Sequence, residues 1–293
     1  MIRSLASGLL AIALLIQAGA VGSEEIFITV ASTTSTQNSG LFDHILPQFT
    51  RTTGIGVRVV AVGTGQAIRL ARNGDADVLL VHHRPSEDRF VAEGHGIERQ
   101  DVMYNDFVIV GPAADPAAIQ GLDDAVAALR RAAAAATTAA ASTAAATTAA
   151  ASAAAPSTIF VSRGDDSGTH KKERGLWDAA GIDPTGASGD WYRETGSGMG
   201  ATLNIASAME AYTLADRGTW MSFKNKGGLE VMLEGDPRLF NPYGVILVNP
   251  ARHPHTKATE GRRFIEWLTS AAGQNAIASF KSAGETLFHP NPR

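Results

Sequence analysis

Residues 25–40 read EIFITVASTTSTQNSG. The run EIFITV is strand-like, rich in β-branched and aromatic residues. Ser32, Thr33, Thr34, Ser35 and Thr36 then fill five of six positions before an apolar segment of helical period begins. The stretch reads as a strand entering a helix through a junction that offers hydroxyls and free backbone N–H groups.

Three other stretches share this character. VGTGQA (62–67) follows the strand candidate VRVVAV, SRGDDSGTHKKE (162–173) follows TIFVS, and ETGSGMGATL (194–203) places Ser197 and three glycines ahead of a helix. Any one of them is ordinary capping. Taken together they predict a ligand. In open α/β sheets ligands bind beyond the carboxyl ends of strands, where such junctions converge. Helix N-termini bring partial positive charge and free donors, so the ligand they suit is an anion. Hydroxyls add donors without charge, glycines admit close backbone approach, and Arg163 is the one fixed cation at a strand end in the set, Lys171 and Lys172 lying inside the following helix.

Outward from these junctions, short apolar runs alternate with amphipathic stretches. Strands are expected at 26–31, 57–62, 77–82, 102–110, 158–162 and 244–248. Helices are expected at 39–51, 65–73, 86–94, 116–131, 167–180, 199–211, 256–270 and 272–281. Gly74, Gly181 and Gly273 stand where helices should stop, and Pro85 and Pro116 where they should start. The βαβα order predicts α/β architecture with mainly parallel sheets. Residues 132–155 contain only Ala, Thr and Ser. Without an apolar face to pack, this tract reads as a low-complexity insertion in a surface connection, loosely helical at most.

The N-terminus predicts export. One positive charge, the run LLAIALLI and the small-residue pattern Ala18-Gly19-Ala20 have the layout of a secretory signal peptide over 1–20, with the mature chain starting near Val21. The absence of cysteine excludes disulfides, thiolate metal sites, a cysteine nucleophile and a lipid anchor on an N-terminal cysteine. The expected location is the periplasm, in a freely diffusing and monomeric form. The formal charge of −4, or −5 without Arg3, gives no basic field for nucleic acid.

Catalytic and metal readings are weaker. Ser167 and Ser197 lack the G-x-S-x-G elbow, because Asp165 and Thr195 occupy the upstream glycine position. GSGMG follows DWYRET rather than a strand and has its third glycine misplaced for a dinucleotide loop, and no Walker lysine follows GTGQA. Adjacent strand residues face opposite sides, so His82 and His83 do not make a metal pair. Neither a metal site nor a cofactor is expected.

The ordered set of STTS followed by TQNSGL, VGTGQA, DVLLVHHRPSE, SRGDDSGTHKKE, WYRETGSGMGATL and YTLADRGTW resembles the tungstate-binding proteins of tungstate ABC transporters. The resemblance spans the mature chain except 132–155, with Ser32 where the family usually has threonine. It implies a two-lobed fold of the type II periplasmic binding protein kind, with a ligand cleft between the lobes. Lobe 1 would comprise 24–107 and 241–293, and lobe 2 would comprise 108–240, with chain crossings near 107–111 and 237–243. It also implies a non-enzymatic solute-binding protein that captures tungstate, or molybdate, and delivers it to a membrane permease and its ATPase. Carried over by motif, the oxyanion contacts are Thr33, Thr34, Ser35 and Thr64 on one side, with Arg163, Ser167, Gly168 and Thr169 on the other and Ser197 beside them.

Two alternatives stand beside this. Hydrogen phosphate carries a proton that needs an acceptor, and Asp165 or Asp166 could supply one. Tungstate and molybdate are fully deprotonated at neutral pH, so for them Asp165 should pair with Arg163 or a backbone amide, and Asp166 should cap its helix. An exported phosphoester hydrolase or transferase would need a base beside a nucleophile, and His170 next to Thr169 is the local candidate.

Overall fold

The computed structural model describes residues 26–145, 158–282 and 284–292. The expected signal segment 1–20 and residues 146–155 of the Ala/Thr tract lie outside the described residues.

The chain opens with β1 (Phe27–Thr33), α1 (Thr34–Asn38), α2 (Leu41–Thr53), β2 (Gly56–Val62), α3 (Thr64–Asn73), β3 (Val78–Val81), α4 (Arg84–Ala92) and the long strand β4 (Gly96–Pro112). It continues through α5 (Ala125–Ala145), β5 (Phe160–Ser162), α6 (Gly168–Ala180), β6 (Tyr192–Glu194), α7 (Met199–Met209), β7 (Thr213–Asp216), α8 (Arg217–Ser222) and β8 (Leu229–Leu233). The last part holds β9 (Phe240–Val248), α9 (Ala258–Thr269) and α10 (Ala271–Ser279), then three two-residue strands, β10 (Lys281–Ser282), β11 (Glu285–Thr286) and β12 (His289–Pro290).

β4 organises the molecule. Its first part pairs antiparallel with β9 as far as Asp106 opposite Phe240. From Phe107 onward it pairs instead with β7 and β8. Two groups of cores follow from this switch. One packs Ile28, Val30, Phe49, Val245 and Phe264 around β1, β3 and β9, with Phe49 set edge-on to Phe264 at 5.1 Å. The other packs Phe107, Phe160, Trp177, Tyr192 and Leu214 around the distal part of β4, with Phe160 edge-on to Trp177 at 5.2 Å. β4 thus runs from one α/β core into the other, while β9 pairs only within the first. The expected parallel pairing holds for β1 with β2 and β3, and for β5 with β6. The sheets are mixed, because the long strands β4 and β9 run antiparallel to their neighbours.

Several sequence readings shift. A short helix, α1, sits inside the hydroxyl-rich junction, with Thr33 as its N-cap. Gly74 and Gly181 end helices in left-handed backbone as expected. Gly273 does not. Ser270 closes α9 and caps α10, and a Cβ at Gly273 would overlap the carbonyl of Trp267. Pro85 starts α4, whereas the helix expected from Pro116 starts only at Ala125, whose N–H is held by Asp236.

The Ala/Thr tract is the larger correction. Residues 132–145 continue α5; Ala132 and Ala133 pack in the second core, and Ala136 is buried beside them on the same helix. Alanine has the highest helix propensity, and its methyl suffices to fill a close helix contact. Thr137 and Thr138 return their hydroxyls to the carbonyls of Ala133 and Ala134, which lets them sit inside the helix.

Candidate functional site

The strand-to-helix junctions meet between the lobes. Thr33, Thr34, Ser35 and Thr64 stand on one wall, and Arg163, Ser167 and Gly168 on the other, with no room between them for a water-sized sphere. Immediately beside this seam a cavity of about 250 Å³ opens, lined by Thr34, Ser35, Asn38, Arg163, Gly198, Met199, Gly200, Ala201 and Thr219. Thr34, Ser35 and Arg163 border both spaces.

On the first wall, Thr33 caps α1 and shares its hydroxyl with Ser35 at 3.1 Å and Thr36 at 2.7 Å. Thr64 opens α3, whose N-cap Gly63 offers no side-chain acceptor. The Thr64 hydroxyl is buried and has no partner among the described residues.

On the second wall, Ser167 caps α6 by accepting from the His170 N–H. A Cβ on Gly168 would come within 2.7 Å of the His82 ring, so only glycine lets α6 approach so near. Arg163 is buried. Its Nη2 donates to Asp165 at 2.6 Å, while its Nε has no partner among the described residues. Thr169 is buried too, with an equally unpartnered hydroxyl, one residue behind the lining. Buried polar groups are nearly always satisfied. Two orphans at the seam and a third just behind it, each able to donate a hydrogen bond, suit it to an acceptor-rich ligand.

Ser197 departs from expectation. Its N–H is spent on the Arg163 carbonyl and the Thr195 hydroxyl, and its hydroxyl on the Thr195 carbonyl. The start of α7 lines the cavity where Ser197 does not. Gly198 caps that helix without a side chain, leaving the first-turn N–H groups beside the cavity.

The two aspartates separate. Asp165 gives one oxygen to Arg163 and the other to the Ser167 N–H at 3.3 Å, as a structural pairing requires. Asp166 does not cap α6; Ser167 does. Asp166 adopts φ 58° and turns outward to Lys171 and, 3.8 Å away, to Arg69 of the opposite wall. It lies so close to Gly65 that any side chain there would overlap it. Neither aspartate lines the seam or its cavity. His170 is no base for Thr169, since its Nδ1 accepts from the Asp166 N–H.

His82 is the residue that sequence reasoning missed. It follows β3, is buried, and contacts Ser35 through Nε2 at 3.2 Å and Asn241 through Nδ1 at 3.1 Å. Burial pushes its pKa down to about 4, and Arg163 and Lys172 add to this, so the ring is neutral at pH 7. Its position at a strand end on the same sheet edge as Thr33 and Val62 was the available signal. His83, by contrast, faces away and bonds Ser86. Among the described residues no cluster of metal-ligating side chains occurs.

Comparison with known proteins places this geometry. A family model described as a PBP superfamily domain matches residues 18–272. The chain is 47% identical over 268 residues to the tungstate-binding protein TupA of Peptoclostridium acidaminophilum, covering 90% of this chain and 85% of that protein. It is 46% identical to a putative ABC transporter anion-binding protein of Haloferax volcanii, over 90% of this chain and 72% of that one. Among solved structures, the tungstate-binding protein from Desulfovibrio alaskensis superposes with a TM-score of 0.74 at 42% identity, over 92% of this chain and all of that one. The tungstate ABC transporter protein of Geobacter sulfurreducens gives 0.73 at 44% identity, over 88% of this chain and all of that one.

Proposed function

The chain belongs to the PBP superfamily and, within it, to the tungstate-binding proteins of ABC transporters, and we propose that it captures tungstate between its lobes for delivery to a membrane permease and its ATPase. Lobe 1 comprises 24–107 and 241–293 and lobe 2 comprises 108–240, with the chain crossing along β4 near 107–111 and again near 237–243. The oxyanion seats where Thr34, Ser35 and Arg163 meet, contacted also by Thr33, Thr64, Ser167, Gly168 and Thr169. The first-turn N–H groups of α7 stand in for Ser197. The protein works as a monomer in the periplasm, exported by its signal peptide, without cofactor and without catalysis.

One observation carries this reading. The unpartnered buried atoms at the seam and just behind it, Thr64 Oγ1, Arg163 Nε and Thr169 Oγ1, can each donate, and none belongs to a carboxylate, while both nearby aspartates are turned to other partners. A fully deprotonated tetrahedral dianion asks for donors alone. Burying it costs several kcal/mol per charge, which charge-assisted hydrogen bonds of about 1.5–3 kcal/mol each can offset. Molybdate has the same charge and shape and is the second ligand. Hydrogen phosphate would need an acceptor that Asp165 and Asp166 do not offer.

Calorimetric titration with tungstate, molybdate, sulfate and phosphate tests the reading, with tungstate expected to bind and phosphate not to compete at neutral pH. A hundredfold excess over the dissociation constant stabilises the native state by about 2.7 kcal/mol. That should raise the melting temperature by about 2–4 °C per kcal/mol. Saturating tungstate that leaves the melting curve unmoved would refute the assignment.

A further inference from the structure

We propose that His82 selects fully deprotonated oxyanions over protonated ones, by fixing through Asn241 and Asn105 the direction in which the Ser35 hydroxyl points its proton. The inference rests on the anion-seat reading of the seam.

The four residues form one buried chain. Ser35 Oγ meets His82 Nε2, His82 Nδ1 meets Asn241 Oδ1, and Asn241 Nδ2 donates to Asn105 Oδ1 at 2.6 Å. The Asn105 Nδ2 at its far end is buried without a partner among the described residues. Tyr243 stacks on the His82 ring at 4.8 Å, and α6 presses on its other side at Gly168, so the ring has little freedom to turn. The charged groups that act on it are Arg163 and Lys172, and both oppose protonation.

A neutral imidazole has one donor and one acceptor nitrogen. With Asn241 presenting its oxygen, Nδ1 carries the proton and Nε2 accepts from Ser35. The Ser35 hydroxyl then shows only lone pairs to the cleft, which repel a dianion and suit an oxyanion carrying a proton of its own.

A half-turn of both carboxamides exchanges oxygen for nitrogen and leaves the other heavy atoms in place. Asn105 Nδ2 then donates to Asn241 Oδ1, Asn241 Nδ2 donates to His82 Nδ1, and Nε2–H donates to Ser35. The Ser35 proton then goes to the anion when Thr33 turns its own hydroxyl proton toward Ser35 or Thr36. This order also gives the orphaned Asn105 N–H group a partner and leaves a carbonyl oxygen in its place, and buried unpaired carbonyl oxygens are the more commonly tolerated of the two. In the liganded protein every link points toward the seat. His82 is a positioning residue, acting on the ligand through Ser35.

Two-bond proton–nitrogen spectra of the full chain, labelled with ¹⁵N-histidine, read the tautomer directly; the His82 signals are those missing from a His82→Gln sample. Saturated with sodium tungstate, the protein should show the proton on Nε2 and a bare Nδ1. A bare Nε2 under saturation overturns the proposal while leaving tungstate binding intact. Failure of tungstate to bind in calorimetry overturns the functional reading instead, and this proposal with it. As a second arm, Asn241→Leu removes the residue that orders the ring. The ratio of tungstate to hydrogen phosphate affinity should narrow by about tenfold or more, the equivalent of roughly 1.4 kcal/mol; an unchanged ratio in the folded variant overturns the proposal. The spectra use the unaltered chain and decide the matter whether or not that variant folds.

Discussion

The two walls of the cleft are built alike and charged differently. Each sets strand ends against helix N-termini: β1 and β2 leading into α1 and α3 on one side, β5 and β6 leading into α6 and α7 on the other. The first wall presents Thr33, Thr34, Ser35 and Thr64 to the seam, backed by a neutral His82. The second carries Arg163, half of whose fork is already committed to Asp165. Charge strengthens binding to any anion, whereas the direction of a hydroxyl proton distinguishes one anion from another. Affinity should therefore depend most on the second wall and selection on the first.

The largest test of that division is Arg163→Ala. It leaves the dianion among neutral donors and frees the Asp165 carboxylate beside it, so the expected loss is about 2–5 kcal/mol, or roughly 30- to several-thousand-fold by titration. Arg163→Lys should recover part of this, because lysine supplies the charge without the planar fork. An Arg163→Ala protein that binds tungstate as tightly as wild type would erase the contrast between the walls.

Behind each wall lies a buried carboxyl, and the pair sharpens the comparison. Glu87 bonds Arg99 and the His83 N–H, whereas Glu173 has only the neutral donors Ser162, Trp177 and Tyr192. Burial pushes both up to about 7. The folded chain therefore keeps protons that the unfolded chain has lost above its ordinary carboxyl pKa. Stability from these groups is full below about pH 4.5 and is lost as pH rises through about 7, on the order of 3 kcal/mol per carboxyl. Urea denaturation between pH 5 and 8 should show this fall, and Glu173→Gln should remove its share. Glu87→Gln should likewise flatten its share of the fall, and above about pH 7 it also removes the ionised carboxylate's pair with Arg99.

Thr64→Val and Thr169→Val probe equivalent orphaned hydroxyls on opposite walls. Each should weaken tungstate binding by about 1.5–3 kcal/mol, roughly 10- to 150-fold. Without ligand the melting temperature should hold or rise, because an unsatisfied buried hydroxyl is replaced by a methyl group. A large drop in ligand-free stability would show that these hydroxyls serve the fold instead.

Away from the cleft the effects should shrink. Ala136→Gly, in the buried part of α5, should cost about 1 kcal/mol of stability and leave affinity unchanged. Arg51→Ala, on an exposed turn of α2, should stay within about 0.5 kcal/mol in both. A clear loss of affinity from Arg51→Ala would mean that charge acts on the ligand from far outside the second wall.

The sequence by itself determined the α/β class, most element positions and the junctions that converge. Those features follow from local rules: period, capping and the chemistry of Ser, Thr and Gly at strand ends. STTS, VGTGQ and SRGDDSGTH were legible for that reason. The two lobes came from the family resemblance of its motifs. Only the tertiary structure decided which donors turn toward the cleft. Ser197 has the composition of a ligand contact, yet its local turn uses up its N–H and hydroxyl on Thr195 and Arg163. Asp166 has the composition of a cap, yet a left-handed backbone sends it to Lys171. The Ala/Thr tract has no visible apolar face, yet Ala132 and Ala133 pack in the core, because a methyl is large enough where helices lie close. His82 reads as one of an idle histidine pair until Asn241, 159 residues away in sequence, is placed beside its Nδ1. Hydrogen-bond direction depends on every partner in a chain of contacts, and those partners are distant in sequence and neighbours only in space.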